Sequence, residues 1–141
     1  MKVRDLMTRD VTTADLNSSV AQIAQNMKDL NVGAIPVCDK NNNLVGIVTD
    51  RDIVLRNVAE GKKSAKAQDV MSSQLITVTP DTHVHEAARI MSENQIRRLP
   101  VVENGKLVGI LSIGDFATQN IYVNEAGEAL SEISKPSRPM Q

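Results

Sequence analysis

In the segment "GIVTDRDI" (46–53), an apolar strand ends at Thr49 and Asp52 follows three residues later. The same pattern returns in the segment "GILSIGDF" (109–116). The corresponding residues of this second segment are Ser112 and Asp115. A hydroxyl residue followed three positions later by an acid is typical of the first turn of a helix. The two segments therefore predict the same strand-to-helix corner twice in one chain.

The corners belong to an internal repeat that covers most of the sequence. The residue pairs aligned at an offset of 64 include Asp5 and Asp69, Met7 and Met71, Val37 and Val101, and Pro36 and Pro100. One deletion in the second hairpin turn shifts the offset to 63, where "LVGI" (44–47) matches "LVGI" (107–110). Such self-similarity indicates two copies of one structural unit. We expect repeat 1 over residues 1–62, repeat 2 over 63–123, and a C-terminal helix and tail over 124–141.

Each copy predicts the element order β-α-β-β-α. A helical turn near "VRDLM" or "AQDVM" precedes a short strand, "VTT" or "LITV". A helix follows, whose apolar stripe in repeat 1 includes Val20, Ile23 and Met27 at helical spacing. A β-hairpin and a second helix after Thr49 or Ser112 complete the unit. The fold class is therefore α/β of the α+β type, with two repeats expected to pack about a pseudo-twofold axis. One further helix is expected over 124–134, with a frayed tail over 135–141.

Composition narrows the classes of function. The chain has 141 residues, a formal net charge of -1, no Trp, one Tyr and one Phe. It offers neither a basic surface for nucleic acid nor aromatic platforms for stacked bases. No apolar run is long enough for a membrane helix, and no signal peptide is apparent, so we expect a cytoplasmic protein. The single cysteine, Cys38, lies in the apolar run "AIPVC" and is expected to be a small buried side chain.

The corner at Thr49 and Asp52 allows two interpretations. In the first, the hydroxyl and the carboxylate only cap the helix by accepting backbone N–H groups. In the second, the helix N-terminus receives an anion and the aspartate accepts hydrogen bonds from a ribose diol. Positive charge for a phosphate is available at Arg97 and Arg98, whereas repeat 1 carries Gly33 and Ala34 in those positions.

These motifs together resemble a tandem pair of CBS domains, known as a Bateman module. The features that match are the Asp-apolar-Met start, the hairpin with "PV" in its first strand and "LVGI" in its second, and the [ST]-x-x-D corner. The resemblance covers about residues 1–120 and holds for both copies. The chain is similar to the small free-standing bacterial CBS-pair proteins, and the family binds adenosine-containing ligands in clefts between the repeats.

The resemblance implies two nucleotide sites of unequal strength. The residues implied for the main site are Thr49, Asp52, Leu75, Ile76, Arg97, Arg98 and Pro100. The residues implied for the weaker second site are Val11, Thr12, Ala34, Pro36, Ser112 and Asp115. In the main site the aspartate would hold the ribose, Leu75 and Ile76 would contact the adenine, and the arginine pair would hold the phosphates.

The implied ligand is AMP, ADP or ATP, ahead of S-adenosylmethionine and NAD(H). It would regulate the protein, with no cofactor required. The implied protein is a non-enzymatic sensor and a homodimer that signals to an unknown protein partner by a conformational change. The alternative is a constitutive interaction scaffold without a small-molecule ligand. No catalytic constellation is apparent, and no metal site is expected, because His83 and His85 lie at i, i+2 rather than i, i+4.

Overall fold

The computed structural model of the chain describes residues 1–117 and 123–135. The helices and strands, in chain order, are α1 (Val3–Leu6), α2 (Val20–Leu30), β1 (Ala34–Cys38), β2 (Leu44–Thr49), α3 (Asp50–Ile53), α4 (Ala67–Val70), α5 (Val84–Asn94), β3 (Arg98–Glu103), β4 (Lys106–Ser112), α6 (Ile113–Ala117) and α7 (Val123–Ile133). A π-helical turn, Val54–Val58, continues α3. The predicted C-terminal helix is confirmed as α7, and the tail from residue 136 lies outside the described residues.

The chain divides into two compact units, each with its own core. The Asp52 unit contains Thr12–Leu75 together with the turn Asn104–Leu107. The Asp115 unit contains Met1–Val11, Ile76–Glu103 and the chain from Val108 onward. The start of each repeat thus belongs to the unit built on the other repeat. The predicted boundaries follow the repeat in the sequence, at 1–62, 63–123 and 124–141. As boundaries of folded domains they stay a prediction.

Each unit is a two-stranded hairpin packed with helices, which confirms the predicted α+β class. In the Asp52 unit, β1 pairs antiparallel with β2 from Ala34 opposite Thr49 to Cys38 opposite Leu44. All five residues of β1 are buried. The buried stripe Val20, Ile23 and Met27 of α2 belongs to the same core, as its helical spacing predicted. Cys38 is buried as expected, and burial, reinforced by the charge of Asp39, raises the pKa of its thiol.

The predicted first strand of each repeat is wrong as a strand, because it forms only one parallel bridge. These bridges join Ala14 to Val37 and Val78 to Val101. Ala14 donates its N–H to the Pro36 carbonyl at 2.9 Å, and Cys38 donates to the Ala14 carbonyl at 2.8 Å. The next bond of a parallel ladder would need an N–H on Pro36, which proline lacks.

The glycine of each "LVGI" motif is required by the methionine of the helical turn packed against it. A Cβ on Gly46 would lie 2.5 Å from Met71 Sδ and 3.1 Å from the Ser72 carbonyl oxygen. A Cβ on Gly109 would lie 2.8 Å from Met7 Sδ and 2.9 Å from the Thr8 carbonyl oxygen. In each unit, the glycine of "LVGI" and the methionine of the helical turn therefore form one close contact. In the Asp52 unit this contact also includes a bridge between Ile47 and Ser72.

Candidate functional site

The corner at Thr49 is a complete capping box at the end of β2. Thr49 Oγ1 accepts the N–H of Asp52 at 3.1 Å, and Asp52 Oδ2 accepts the N–H of Thr49 at 2.9 Å. Asp50 also donates its N–H to the Gly33 carbonyl at 3.0 Å, which ties the corner to the start of β1. These bonds hold the Thr49 and Asp52 side chains in fixed positions at the end of β2.

Asp52 is the most buried charged side chain among the described residues, with 9% of its surface exposed. A carboxylate has about four lone-pair directions, and the cap bond to Thr49 N uses one of them. Burial of a charge is costly unless the charge is paired and hydrogen-bonded. The corner therefore presents an anchored carboxylate with capacity for further donors.

Arg56 is a residue near this carboxylate that the sequence analysis missed. Its Nε lies 4.0 Å from Asp52 Oδ1, and its Nη1 donates to the carbonyls of Val70 at 3.3 Å and Met71 at 3.2 Å. The i, i+4 spacing from Asp52 was the signal that could have revealed it. The Asp52 unit therefore supplies a positively charged side chain near Asp52 itself.

The second corner repeats the backbone arrangement. Asp115 Oδ2 accepts the N–H of Ser112 at 2.7 Å, and α6 begins at Ile113. Ile113 donates its N–H to the Arg97 carbonyl at 2.9 Å, the equivalent of the bond from Asp50 to Gly33. The structure thus brings the backbone of Arg97 to the Ser112 corner. The side chains of Arg97 and Arg98 are exposed.

The structure distributes the residues of each predicted site over both units. Thr49, Asp52 and Leu75 belong to the Asp52 unit, whereas Ile76, Arg97, Arg98 and Pro100 belong to the Asp115 unit. Of the second set, Thr12, Ala34 and Pro36 belong to the Asp52 unit, and Val11, Ser112 and Asp115 belong to the Asp115 unit. The combination of these halves into one site stays a prediction.

The prolines of the two sets leave backbone acceptors without a ladder partner. Pro36 cannot donate to the Thr12 carbonyl in the Asp52 unit, and Pro100 cannot donate to the Ile76 carbonyl in the Asp115 unit. Both prolines are buried, while Thr12 and Ile76 are exposed. Thr12 and Ile76, one from each predicted site, are therefore exposed residues whose carbonyl groups the proline opposite cannot engage.

Comparison with known proteins decides the family of this fold. The family model of the CBS domain matches residues 3–58 and, a second time, residues 67–119. The chain belongs to the CBS domain family. The Bacillus subtilis protein YlbB is 45% identical over 136 residues, which are 95% of this chain and 92% of that protein. The predicted resemblance to a small free-standing pair of CBS repeats is confirmed.

Solved CBS structures of similar shape contain different ligands. A structure of CBSX2 in complex with AMP has a TM-score of 0.77 and 30% identity, and covers 87% of this chain and 98% of that chain. The CBS pair of MJ0100, in complex with 5'-methylthioadenosine and S-adenosyl-L-methionine, has a TM-score of 0.76 and 30% identity and covers 84% and 94%. Hypoxic Response Protein I, with two coordinated zinc ions, has a TM-score of 0.78 and 32% identity and covers 84% and 98%.

The histidine pair of the second CBS repeat serves the start of α5. His83 Nδ1 accepts the N–H of His85 at 3.1 Å, and the two rings stack with centroids 4.7 Å apart. Within residues 1–117 and 123–135, no group of three or more His, Cys, Asp or Glu side chains is placed to hold a metal ion. Over the same ranges, no helix has the length and apolar character needed to span a bilayer.

Two further helices begin with an aspartate that accepts the N–H of the residue before the helix, with a lysine in place of the hydroxyl residue. Asp5 Oδ2 accepts the N–H of Lys2 at 2.9 Å, and Asp69 Oδ2 accepts the N–H of Lys66 at 2.8 Å. Both aspartates are exposed, and both begin a helix of four residues. Capping alone therefore requires no burial of the carboxylate. The burial of Asp52 is the feature that sets its corner apart.

Proposed function

We propose that this CBS pair is a non-catalytic sensor that binds an adenosine-containing ligand at its two hydroxyl–aspartate corners. AMP, ADP or ATP is the ligand class, ahead of S-adenosylmethionine and NAD(H). Binding alters the conformation of the protein and so the activity of a protein partner, in the cytoplasm. The observation that carries this proposal is the buried, anchored carboxylate of Asp52, in a family whose solved members include complexes with AMP and with S-adenosyl-L-methionine.

The geometry supports ribose recognition without loss of the helix cap. Asp52 Oδ2 is engaged by the Thr49 N–H, while Oδ1 is only at ion-pair distance, 4.0 Å, from Arg56 Nε. Two adjacent ribose hydroxyl groups can donate to the remaining lone pairs of one carboxylate. Hydrogen bonds to an ionised acceptor are about twice as strong as those between neutral groups. Ligand and cap can therefore share the same aspartate.

The main site is proposed to combine this corner with residues of the other unit. We expect Leu75 and Ile76 to contact the adenine, with Pro100 beside them, and Arg97 and Arg98 to bind the phosphates. An exposed arginine pair binds phosphate oxygens through several donors and is well suited to that role. The second site is proposed at Ser112 and Asp115 with Val11, Thr12, Ala34 and Pro36, and is expected to be weaker.

A scaffold without a small-molecule ligand is the second candidate, and a specific observation favours it. Thr49 Oγ1 and Asp52 Oδ2 already have intramolecular partners, as they would in a purely structural cap. Under this alternative the protein would contact its partner constitutively. No ligand would stabilise it, and Asp52 would matter for stability only.

A thermal-shift screen separates the two candidates. The wild-type chain is heated with AMP, ADP, ATP, NAD(H), S-adenosylmethionine and, as a control, GTP. A ligand at about 100 times its dissociation constant adds about 2.7 kcal/mol to the free energy of unfolding, which raises the melting temperature by several degrees. The sensor proposal expects such a rise for at least one adenosine compound. No rise for any of them would favour the scaffold.

The same screen on two matched variants locates the site. Asp52→Asn and Asp69→Asn each weaken one hydrogen bond from an N-cap N–H to an aspartate in the Asp52 unit, but only Asp52 belongs to the proposed site. We expect the ligand-induced shift to disappear in Asp52→Asn and to persist in Asp69→Asn. An equal loss of the shift in both variants would mean that the effect comes from stability rather than from ligand contact.

A further inference from the structure

Helix α5 begins with a cap that can gain a proton, whereas the cap of the equivalent helix α2 cannot. At α5 the cap is His83, whose Nδ1 accepts the N–H of His85 at 3.1 Å. At the equivalent position of repeat 1, Ser19 Oγ accepts the N–H of Gln22 at 3.0 Å. Histidine is the side chain that ordinarily changes its charge between about pH 5 and pH 8, and a serine hydroxyl does not. One unit therefore has a titratable side chain in a position where the other has a serine.

Protonation of His83 removes this cap. A neutral imidazole accepts at the nitrogen that has no hydrogen, but the protonated ring has a hydrogen on both nitrogens and accepts at neither. The new charge also lies at the N-terminus of α5, where the helix dipole is positive. The His85 ring is stacked on the His83 ring, with the centroids 4.7 Å apart, so a second proton adds repulsion between like charges. Each effect makes the folded state bind protons less readily than the unfolded chain.

The acids around the cap do not offset that charge, because each already has a cation beside it. Asp81, two residues before the cap, pairs with Arg4 and with Lys2, whose Nζ lies 3.6 Å from Asp81 Oδ1. Glu86, on the first turn of α5, is bonded to Arg89. The hydrogen bonds from Arg4 and Arg89 lower the pKa of Asp81 and of Glu86, so both acids stay ionised while a histidine titrates.

The N-terminal segment is bound to the cap. Val84, the first residue of α5, donates its N–H to the Met1 carbonyl at 3.1 Å, and Lys2 pairs with His83 in an antiparallel bridge. The remaining charged groups of this stretch are the Met1 amino group and Asp5, whose Oδ2 accepts the N–H of Lys2 at 2.9 Å. The start of the chain therefore depends on the same turn that His83 caps.

The same segment also reaches β4. Thr8 donates its N–H to the Ile110 carbonyl at 2.8 Å, and the Met7 side chain packs over Gly109. Strand β4 ends at Ser112. The cap, the N-terminal segment and β4 therefore form one connected part of the Asp115 unit.

We propose that the His83–His85 pair makes the Asp115 unit sensitive to pH, with the cap closed when His83 is neutral and open when it is protonated. Opening releases the first turn of α5 and loosens the N-terminal segment bound to it. The chain has two histidines, and both belong to this pair, so a change between about pH 7 and about pH 5.5 reports on the pair. The proposal requires no nucleotide, so it stands or fails separately from the proposed ligand sites.

Thermal unfolding at about pH 7 and about pH 5.5 tests the sign of the effect. A group that binds fewer protons in the folded state than in the unfolded chain adds stability at the higher pH, and this stability is lost as pH falls. We expect the melting temperature of the wild type to be about 3 °C lower at the acid pH. In His83→Ser, which copies the Ser19 cap, the difference should be below about 1 °C. In His85→Gln, which retains the cap, most of the fall should remain.

Two results of this experiment would overturn the proposal. One is an equal fall of the melting temperature in the wild type and in His83→Ser. The other is a fall that disappears in His85→Gln but persists in His83→Ser.

Hydrogen exchange of single amides locates the effect. The His85 amide, held by the cap, should lose at least about fivefold of its protection at the acid pH, after correction for the intrinsic exchange rate. The Val3 amide, bonded to the Thr82 carbonyl at 2.8 Å, should follow it. The matched control is the Gln22 amide, held by Ser19, whose protection should stay constant. Unchanged protection at either His85 or Val3, or an equal loss at Gln22, would contradict a proton-sensitive cap.

Discussion

The Thr49 and Ser112 corners share one backbone design and differ in what surrounds it. In both, an aspartate accepts the N–H of the hydroxyl residue, at 2.9 Å for Asp52 and 2.7 Å for Asp115. At Thr49 the neighbouring strand starts with Gly33 and Ala34, while at Ser112 it starts with Arg97 and Arg98. The repeat therefore fixes the position of the carboxylates, and the neighbours determine which of them is buried and where positive charge lies.

This difference separates residues that stabilise the repeat from residues that give each corner its own surroundings. Residues that appear in both repeats with the same contacts, such as Gly46 and Gly109, maintain the unit. Residues that differ between the repeats, such as Arg56 near Asp52 or the pair Arg97–Arg98, give the two corners different surroundings.

The largest effect is expected at the glycines of "LVGI", and it should differ between the repeats. Gly109→Ala places a Cβ 2.9 Å from the Thr8 backbone, which cannot move aside easily. Gly46→Ala meets chiefly the Met71 side chain, which can rotate. Overpacking typically costs about 1–3 kcal/mol, so we expect Gly109→Ala near the top of this range and Gly46→Ala near the bottom. Urea unfolding gives both values.

Gly127→Ala is the control for the glycine comparison. Outside the adjoining backbone of α7, no atom of the described residues lies within 4 Å of a Cβ at this position, and alanine favours a helix over glycine by about 0.5–1 kcal/mol. We expect this variant to be more stable than the wild type. A destabilised Gly127→Ala, or equal losses at positions 46 and 109, would contradict the assigned contacts.

The next effect concerns the hydroxyl of the first corner. Thr49→Ala removes the acceptor of the Asp52 N–H and should lower the free energy of unfolding by about 1 kcal/mol, or about 3 °C in melting temperature. Thr49→Ser retains the hydroxyl and should stay within a few tenths of a kcal/mol of the wild type. Differential scanning calorimetry measures both. Equal losses in the two variants would show that the methyl group, not the cap, is responsible.

Arg56 should matter through its hydrogen-bonding fork as well as its charge. Its bonds to the Val70 and Met71 carbonyls span two segments of the Asp52 unit, and the guanidinium is about half exposed. We expect Arg56→Ala to cost about 1 kcal/mol, and Arg56→Lys to recover only part of it, because an ammonium is a single point of donation. Thermal unfolding at low and high salt checks this. Full recovery by lysine would reduce the role of Arg56 to charge alone.

The smallest effect is expected in the hairpin turn of the Asp52 unit. The Asn43 N–H bonded to Asp39, followed by the side-chain bond from Asn43, lowers the pKa of the Asp39 carboxyl below its usual value. A lowered pKa in the folded state adds stability above the unfolded-state pKa, and that stability is lost as pH falls through the folded value. Asp39→Asn should therefore flatten the acid limb of the stability curve slightly. An unchanged acid limb would show that the turn bonds do not depend on the charge.

Much of the fold was predictable because each element has a local cause. The stripe Val20, Ile23 and Met27 predicted α2, and the hydroxyl–aspartate spacing predicted where α3 and α6 begin. The prediction of a first strand in each repeat was wrong, because a proline in the partner strand interrupts the ladder. That partner is distant in the sequence, so the local pattern did not reveal the interruption. The assignment of Met1–Val11 to the Asp115 unit depends on pairing between distant segments, which periodicity does not reveal.

The candidate site was predictable in its corners and less so in its surroundings. Thr49, Asp52, Ser112 and Asp115 were recognised from spacing, since a capping motif is local. Arg56 was missed because an i, i+4 partner on the surface of a helix is common and rarely informative. The bond between Ile113 and Arg97 needed the strand register, which brings the start of β3 beside the end of β4.

Calorimetric titration of AMP into two double variants tests whether the hydroxyl–aspartate corners bind the ribose. Asp52→Asn with Asp115→Asn alters both proposed corners, while Asp5→Asn with Asp69→Asn alters the two exposed aspartates that cap α1 and α4 and leaves the corners intact. If the corners bind the ribose, the wild type and the second variant bind AMP, and the first, still folded, does not. AMP binding of equal strength to both double variants would show that the corner aspartates do not hold the ligand.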